Sequence, residues 1–136
     1  MRKRSSYRPR ACGLPLVFGL TEEMRNDLQL MPMLQLDAFR EGRGNEDGAY
    51  TVAGAVNVAA VLSRTQHADI QAFMSKGLDA VQGVFERAAT SGRWGVSGDE
   101  YQAISAALRL GAELADACPR RTVAAAIKTV FQEAGR

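Results

Sequence analysis

A chain of 136 residues with 46% hydrophobic side chains has room for one domain with a real core and for little else. The formal charge of +2 conceals a segregation: Arg2, Lys3, Arg4, Arg8 and Arg10 precede every acid, and subtracting these five leaves −3 over residues 11–136. A body of that sign repels phosphates as a whole, so a nucleic-acid contact belongs to the basic tail or to one local patch.

Residues 1–20 read as an extended arm, because Pro9 and Pro15 remove backbone donors and Gly13 and Gly19 break any helical period. Its apolar run LPLVFGL contains a proline, is too short for a membrane span, and is followed by TEEMRND without a small-residue cleavage site. The expected location is therefore the cytoplasm, with Cys12 and Cys118 reduced. From about Leu14 onwards the arm is too apolar to stay in water and is expected to dock on the body.

Residues 21–136 read as a single helical domain. Thr21 followed by Glu22 and Glu23 is a helix start, a hydroxyl cap with carboxylates at the positive end of the dipole. Met24, Leu28 and Met31 share a face, and Pro32 either ends this helix or begins the next turn. MLQLDAFREG gives a short helix with Met33, Leu36 and Phe39 inward and Gly42 as a stop, and GRGNEDG reads as a loop.

From Thr51, TVAGAVNVAAVLSR is apolar on nearly every side, as in a buried helix, and the small residues at 53–55 invite close approach by another helix. Residues 70–88 show the clearest period: Ile70, Phe73, Met74, Gly77, Leu78, Val81, Val84, Phe85 and Ala88 recur at three and four. Close packing is expected at Gly77. After the SGRWGVSG break, Ser97 and Glu100 form a capping box, opening a helix with Tyr101, Ile104, Ala107, Leu108, Gly111, Ala115 and Cys118 on one side. A final helix from about Thr122 aligns Val123, Ile127, Val130, Phe131 and Ala134. The fold class is all-α, a compact bundle of about five or six helices behind a basic N-terminal arm.

Catalytic and metal-ligating constellations do not emerge. His67 stands alone and reads as a helix-start residue, and with Cys12 and Cys118 it supplies too few ligands at no standard zinc spacing. The pairs Glu22/Glu23, Glu46/Asp47 and Asp99/Glu100 fall where helices begin, which accounts for them as capping groups. GRGNEDG lacks the lysine and hydroxyl of a phosphate-binding loop. Cys118 reads as a core thiol and Cys12 as the more reactive one. The expectation is a non-enzyme without a cofactor.

Two segments suit binding. In RKRSSYRPR the basic residues Arg2, Lys3, Arg4, Arg8 and Arg10 with Tyr7 match phosphate pairing and stacking on an unpaired base. AELADACPRRTVAAAIKTV has the outline of a degenerate helix-turn-helix at about 112–130, with Arg120, Arg121 and Lys128 towards DNA. Ala117, Pro119, Glu113 and Asp116 depart from that pattern, and an ordinary helical hairpin is the simpler reading. Trp94 either caps the core or anchors a partner protein. The apolar faces suffice for a monomer core and do not decide whether one is left over for self-association.

KRSSYRPR, AVNVAAVL, GLDAVQGVFERAATSGRW and LADACPRRTVAAAIKTVFQEA together resemble, nearly end to end, a family of small proteins encoded in bacteriophages and prophages of proteobacteria. The resemblance brings no activity, cofactor or catalytic residue. It implies a small accessory protein in the infected bacterial cytoplasm. From the residues themselves, the expected function is non-enzymatic binding of a host protein or nucleic acid with the basic arm as electrostatic contact, and the alternative is a DNA-binding regulator using the helix-turn-helix at about 112–130.

Overall fold

The computed structural model describes residues 16–134. It is an all-α bundle; among the described residues there is no strand, only an isolated antiparallel bridge between Phe18 and Pro119. The elements are α1 (Glu22–Arg25), α2 (Met31–Arg40), α3 (Glu46–Leu62), α4 (Ala68–Ser91), α5 (Gly98–Ala117) and α6 (Arg120–Ala134). No helix among them is long and apolar enough to cross a membrane.

Thr21 caps α1 as expected, its hydroxyl accepting from the Met24 amide at 3.0 Å. Pro32 does not stop the chain there. Between α1 and α2 a π-helical turn, Asn26–Leu30, keeps one rod running from Glu22 to Arg40, and the Met31 amide bonds to the Asn26 carbonyl five residues back. A proline ring inside a helix collides with the carbonyl four residues earlier, and the widened turn relieves that collision. Pro32 itself is buried in the first turn of α2.

The loop read from GRGNEDG is shorter than its composition suggests. Gly42 turns the chain with φ +80°, Asn45 caps by accepting from the Gly48 amide, and α3 starts at Glu46 rather than near Thr51. Glu46 and Asp47 thus occupy the first helical turn, where the dipole favours them. At the other end of α4, Gly92 supplies the left-handed stop, φ +75°.

α3 is the central helix and packs on α2, α4, α5 and α6. One of its faces joins a first core cluster through Val52, Ala55, Val56 and Ala59, with Leu36 and Phe39 of α2, Met74, Val81 and Val84 of α4, and Ile104, Ala107 and Leu108 of α5. Val58 and Leu62 belong to a second cluster, closed by Leu20, Ala115, Val123, Ala126 and Val130 with Met24 and Leu28 against it. Two contacts between small residues set the spacing. A Cβ on Gly77 would stand 2.6 Å from that of Ala107, and one on Gly111 2.5 Å from that of Ala59, so α4 and α3 approach α5 as closely as side chains allow. The close packing expected at Gly77 is present.

The capping box at α5 is also present, with Ser97 and Glu100 each accepting from the other's backbone amide. Glu100 does more than cap: its second oxygen receives the Arg87 guanidinium of α4 at 2.6 Å, in space that Gly83 leaves open. Burial pushes the Glu100 carboxyl up, but the Arg87 and Ser97 hydrogen bonds prevail and hold it below the usual carboxylate range.

Three expectations about faces fail. Phe73 and Phe131, both read as inward, are exposed, the latter at 70%. Val130 and Phe131 are neighbours about 100° apart around the axis, and only Val130 turns to the core. In the arm, Leu16, Val17 and Phe18 remain about half exposed. What docks is Leu20, buried in the second cluster, together with backbone.

Candidate functional site

Among the described residues, a groove of about 590 Å³ lies where the first rod, α3 and the end of α6 meet. Its floor is α3: Gly54, Ala55 and Val58, reached from Tyr50 and Thr51 one turn earlier. Leu28 and Met31 form one wall and Ile127, Val130 and Phe131 the other. The π-helical turn contributes Asn26 and Asp27 at the edge, and Asp27 is the one charged side chain among the described lining residues.

Gly54 explains why the floor is open. It sits at the centre of the small-residue run that invited a neighbouring helix, yet a Cβ there would meet nothing within 4 Å. Ala55 turns into the core while Gly54 faces the groove. The run therefore serves two sides: close packing on one and an unfilled recess on the other.

The rim is apolar and exposed. Tyr50 is 60% accessible, yet it is held in place, its ring 5.3 Å from that of Phe85, which in turn meets Trp94 edge-on at 5.3 Å. Such tilted and edge-to-face pairs are favoured by the ring quadrupoles. Phe131, on the opposite wall, is 70% accessible. Large apolar side chains gathered around a concavity mark an interaction surface more often than scattered ones do.

Of the residues singled out in the sequence, Arg2, Lys3, Arg4, Tyr7, Arg8 and Arg10 lie outside the described residues, as does Cys12. Arg120 is half-buried and works as a strap. Its amide donates to the Val17 carbonyl at 2.6 Å and its Nε to the Gly19 carbonyl at 2.9 Å, which ties the arm to the head of α6. Arg121 and Lys128 are exposed. α6 begins at Arg120, two residues earlier than expected, and packs on α3. Trp94 is half-buried against the first cluster, so it caps the core at the far end of the aromatic row that begins at Tyr50. His67 caps α4, its Nδ1 accepting from the Asp69 amide. Cys118 ends α5, half-buried beside the second cluster.

A second polar junction joins α5 to α2. The Tyr101 hydroxyl donates to Asp37 at 2.7 Å and its ring lies under the Arg40 guanidinium at 4.4 Å. The hydrogen bond to Asp37 and then burial raise the Tyr101 pKa. This junction is structural in character, and it lies outside the groove lining.

Sequence reasoning named none of the groove residues as a site. The usable signals were the two aromatic residues, Tyr50 and Phe131, that a helical period cannot turn inward together with their neighbours, and a glycine inside a long apolar helix. Comparison with family models, curated proteins and solved structures gives no match to this chain.

Proposed function

We propose that this protein acts by binding, as a non-enzymatic accessory module that receives an amphipathic helix of a partner protein in the groove between the first rod, α3 and α6. The observation that carries the reading is the open recess over Gly54, walled by Met31, Val130 and Phe131 and rimmed by the braced ring of Tyr50. A helix laid in such a recess presents apolar anchors at i, i+3 or i+4, and i+7. Asp27 at the edge favours a partner that carries a lysine or arginine beside those anchors. The basic arm is the second contact, directed at phosphates or at an acidic surface of the same host partner. The resemblance to phage-encoded proteins supplies the setting, a bacterial cytoplasm, for such a module.

The test is a selection of displayed amphipathic helical peptides against the full chain, repeated on Gly54→Leu, which fills the recess from a position with free space around it. Selected peptides are expected to share the anchor spacing, to change the emission of Trp94, and to lose at least tenfold in affinity for Gly54→Leu while its melting temperature is kept. Peptides that bind both chains equally, or a selection that yields none, would remove the groove from consideration.

A further inference from the structure

The pattern that the groove asks of a visiting helix is already present on one of its own walls. Such a helix needs apolar anchors at i, i+3 or i+4, and i+7, with a cation beside them. On α6, Ala124, Lys128 and Phe131 are exposed and Ile127 is half-buried between them. At that spacing the four share one stripe of the helix, next to the face that Val123, Ala126 and Val130 bury. We propose that a second copy of the chain covers the groove in a two-fold pair: the Phe131 ring of each protomer enters the recess over Gly54 of the other, and Lys128 of each meets Asp27 of the other. The inference rests on the groove being a docking surface, as proposed above, and names what occupies it in the free protein.

Two-fold pairing requires one patch to hold both a projection and the recess that receives it. Phe131 is the projection, 70% exposed although it borders the groove. Gly54 is the recess, because a Cβ there would meet nothing within 4 Å. The small side chain of Ala124, one stripe position before Lys128, lets the partner rod come near. Without this cover each protomer leaves the Phe131 ring and the rim ring of Tyr50, 60% exposed, in water.

Charge selects the occupant. Asp27 is the one charged side chain among the described lining residues, and Lys128 stands one turn from Phe131, the ring that would enter. Among the described residues neither takes part in an ion pair within the chain. Symmetry makes the contact twice, so the pair closes with two opposite charges matched on each side and fixes its own register. A partner helix then competes with the second copy, and its apparent affinity falls by the fraction of groove left open.

Sedimentation velocity of the full chain from about 5 to 500 μM, spanning ordinary weak association, tests the pairing. The parent is expected to shift from monomer to dimer across that range. Ala124→Arg, outside the groove lining, blocks only the entering face, and Gly54→Leu fills only the recess; each is expected to weaken the dimer at least tenfold with its melting temperature kept. Asp27→Lys and Lys128→Asp each set like charges together twice and should also fail to pair. Mixing those two chains in equal amounts restores opposite charges at both contacts, so the mixture is expected to form the dimer that neither forms alone. A parent that stays monomeric, a dimer indifferent to Ala124→Arg and Gly54→Leu, or a mixture that does not associate overturns the inference. Selected peptides should bind Ala124→Arg more tightly than the parent at concentrations where the parent is paired. Peptides that depend on Gly54 while the parent stays monomeric would sink the pairing and leave the groove as a site for another protein. A dimer that passes the mixing test, with no peptide selected, would do the reverse.

Discussion

Three glycines in helices separate cleanly once their surroundings are known. At Gly54 a methyl group meets no atom, and alanine avoids the entropic cost of glycine in a helix, so Gly54→Ala is expected to stabilise the fold by about 1 kcal/mol. Gly77→Ala and Gly111→Ala force Cβ atoms to about 2.5 Å from Ala107 and Ala59 and are expected to destabilise by about 1–3 kcal/mol through overpacking. Urea titration of the three variants checks both signs. In sequence all three glycines look alike, each inside an amphipathic or apolar helix. A periodic pattern reports which side of a helix is apolar, not whether a neighbour stands there, so Gly77 was legible and the vacancy above Gly54 was not. Glu100 gives a pH-dependent test. Its folded pKa lies below the ordinary 4.5, so its contribution is complete above that pH and disappears as the pH falls through the folded value. Glu100→Gln should lower the melting temperature at pH 7, and the difference from the parent should shrink in acid below pH 4.5.

Among elements, the first rod shows how a local irregularity reaches the site. Met24 and Leu28, just before and within the π-helical turn, pack on the second cluster, whereas Leu36 and Phe39 beyond it belong to the first. Composition gives no warning of that turn except Pro32, whose two readings, stop or continuation, depend on whether the preceding turn can widen. The capping signals, by contrast, were readable because Thr21 and the Ser97/Glu100 pair act within four residues of themselves. Contact between α2 and α5 rests partly on the Tyr101 hydroxyl and Asp37, 64 residues apart, a pairing no local pattern announces. Tyr101→Phe is expected to cost about 1–2 kcal/mol at neutral pH. Because the folded pKa of Tyr101 is raised above 10.0, that contribution is intact below pH 10.0 and is lost as the pH climbs through the folded value. Thermal melts of both chains between pH 7 and pH 11 should therefore converge at the alkaline end.

For the whole molecule, charge remains divided between a cationic start and an anionic body, and the division sets the salt response of any contact made by the arm. Binding to mixed DNA and RNA is expected to fall steeply between low and moderate salt and to vanish when Arg2, Lys3, Arg4, Arg8 and Arg10 are replaced by glutamine; a filter-binding titration at two ionic strengths decides it. The helical class and the position of most helices followed from period and caps, whereas the groove exists only because three elements distant in sequence converge. That same convergence has a consequence in time. The strap joining Gly19 to Arg120 spans 101 residues, which a ribosome adds in roughly 5–20 s. Throughout that interval Leu16, Val17, Phe18 and Leu20 have been made, and for its later part they are outside the ribosome, while α6, their eventual support, is not yet complete. The first cluster has most of its helices before the second can close. A nascent chain halted before α6 would thus present a hydrophobic leading segment, the kind of stretch a chaperone at the tunnel exit holds until translation ends.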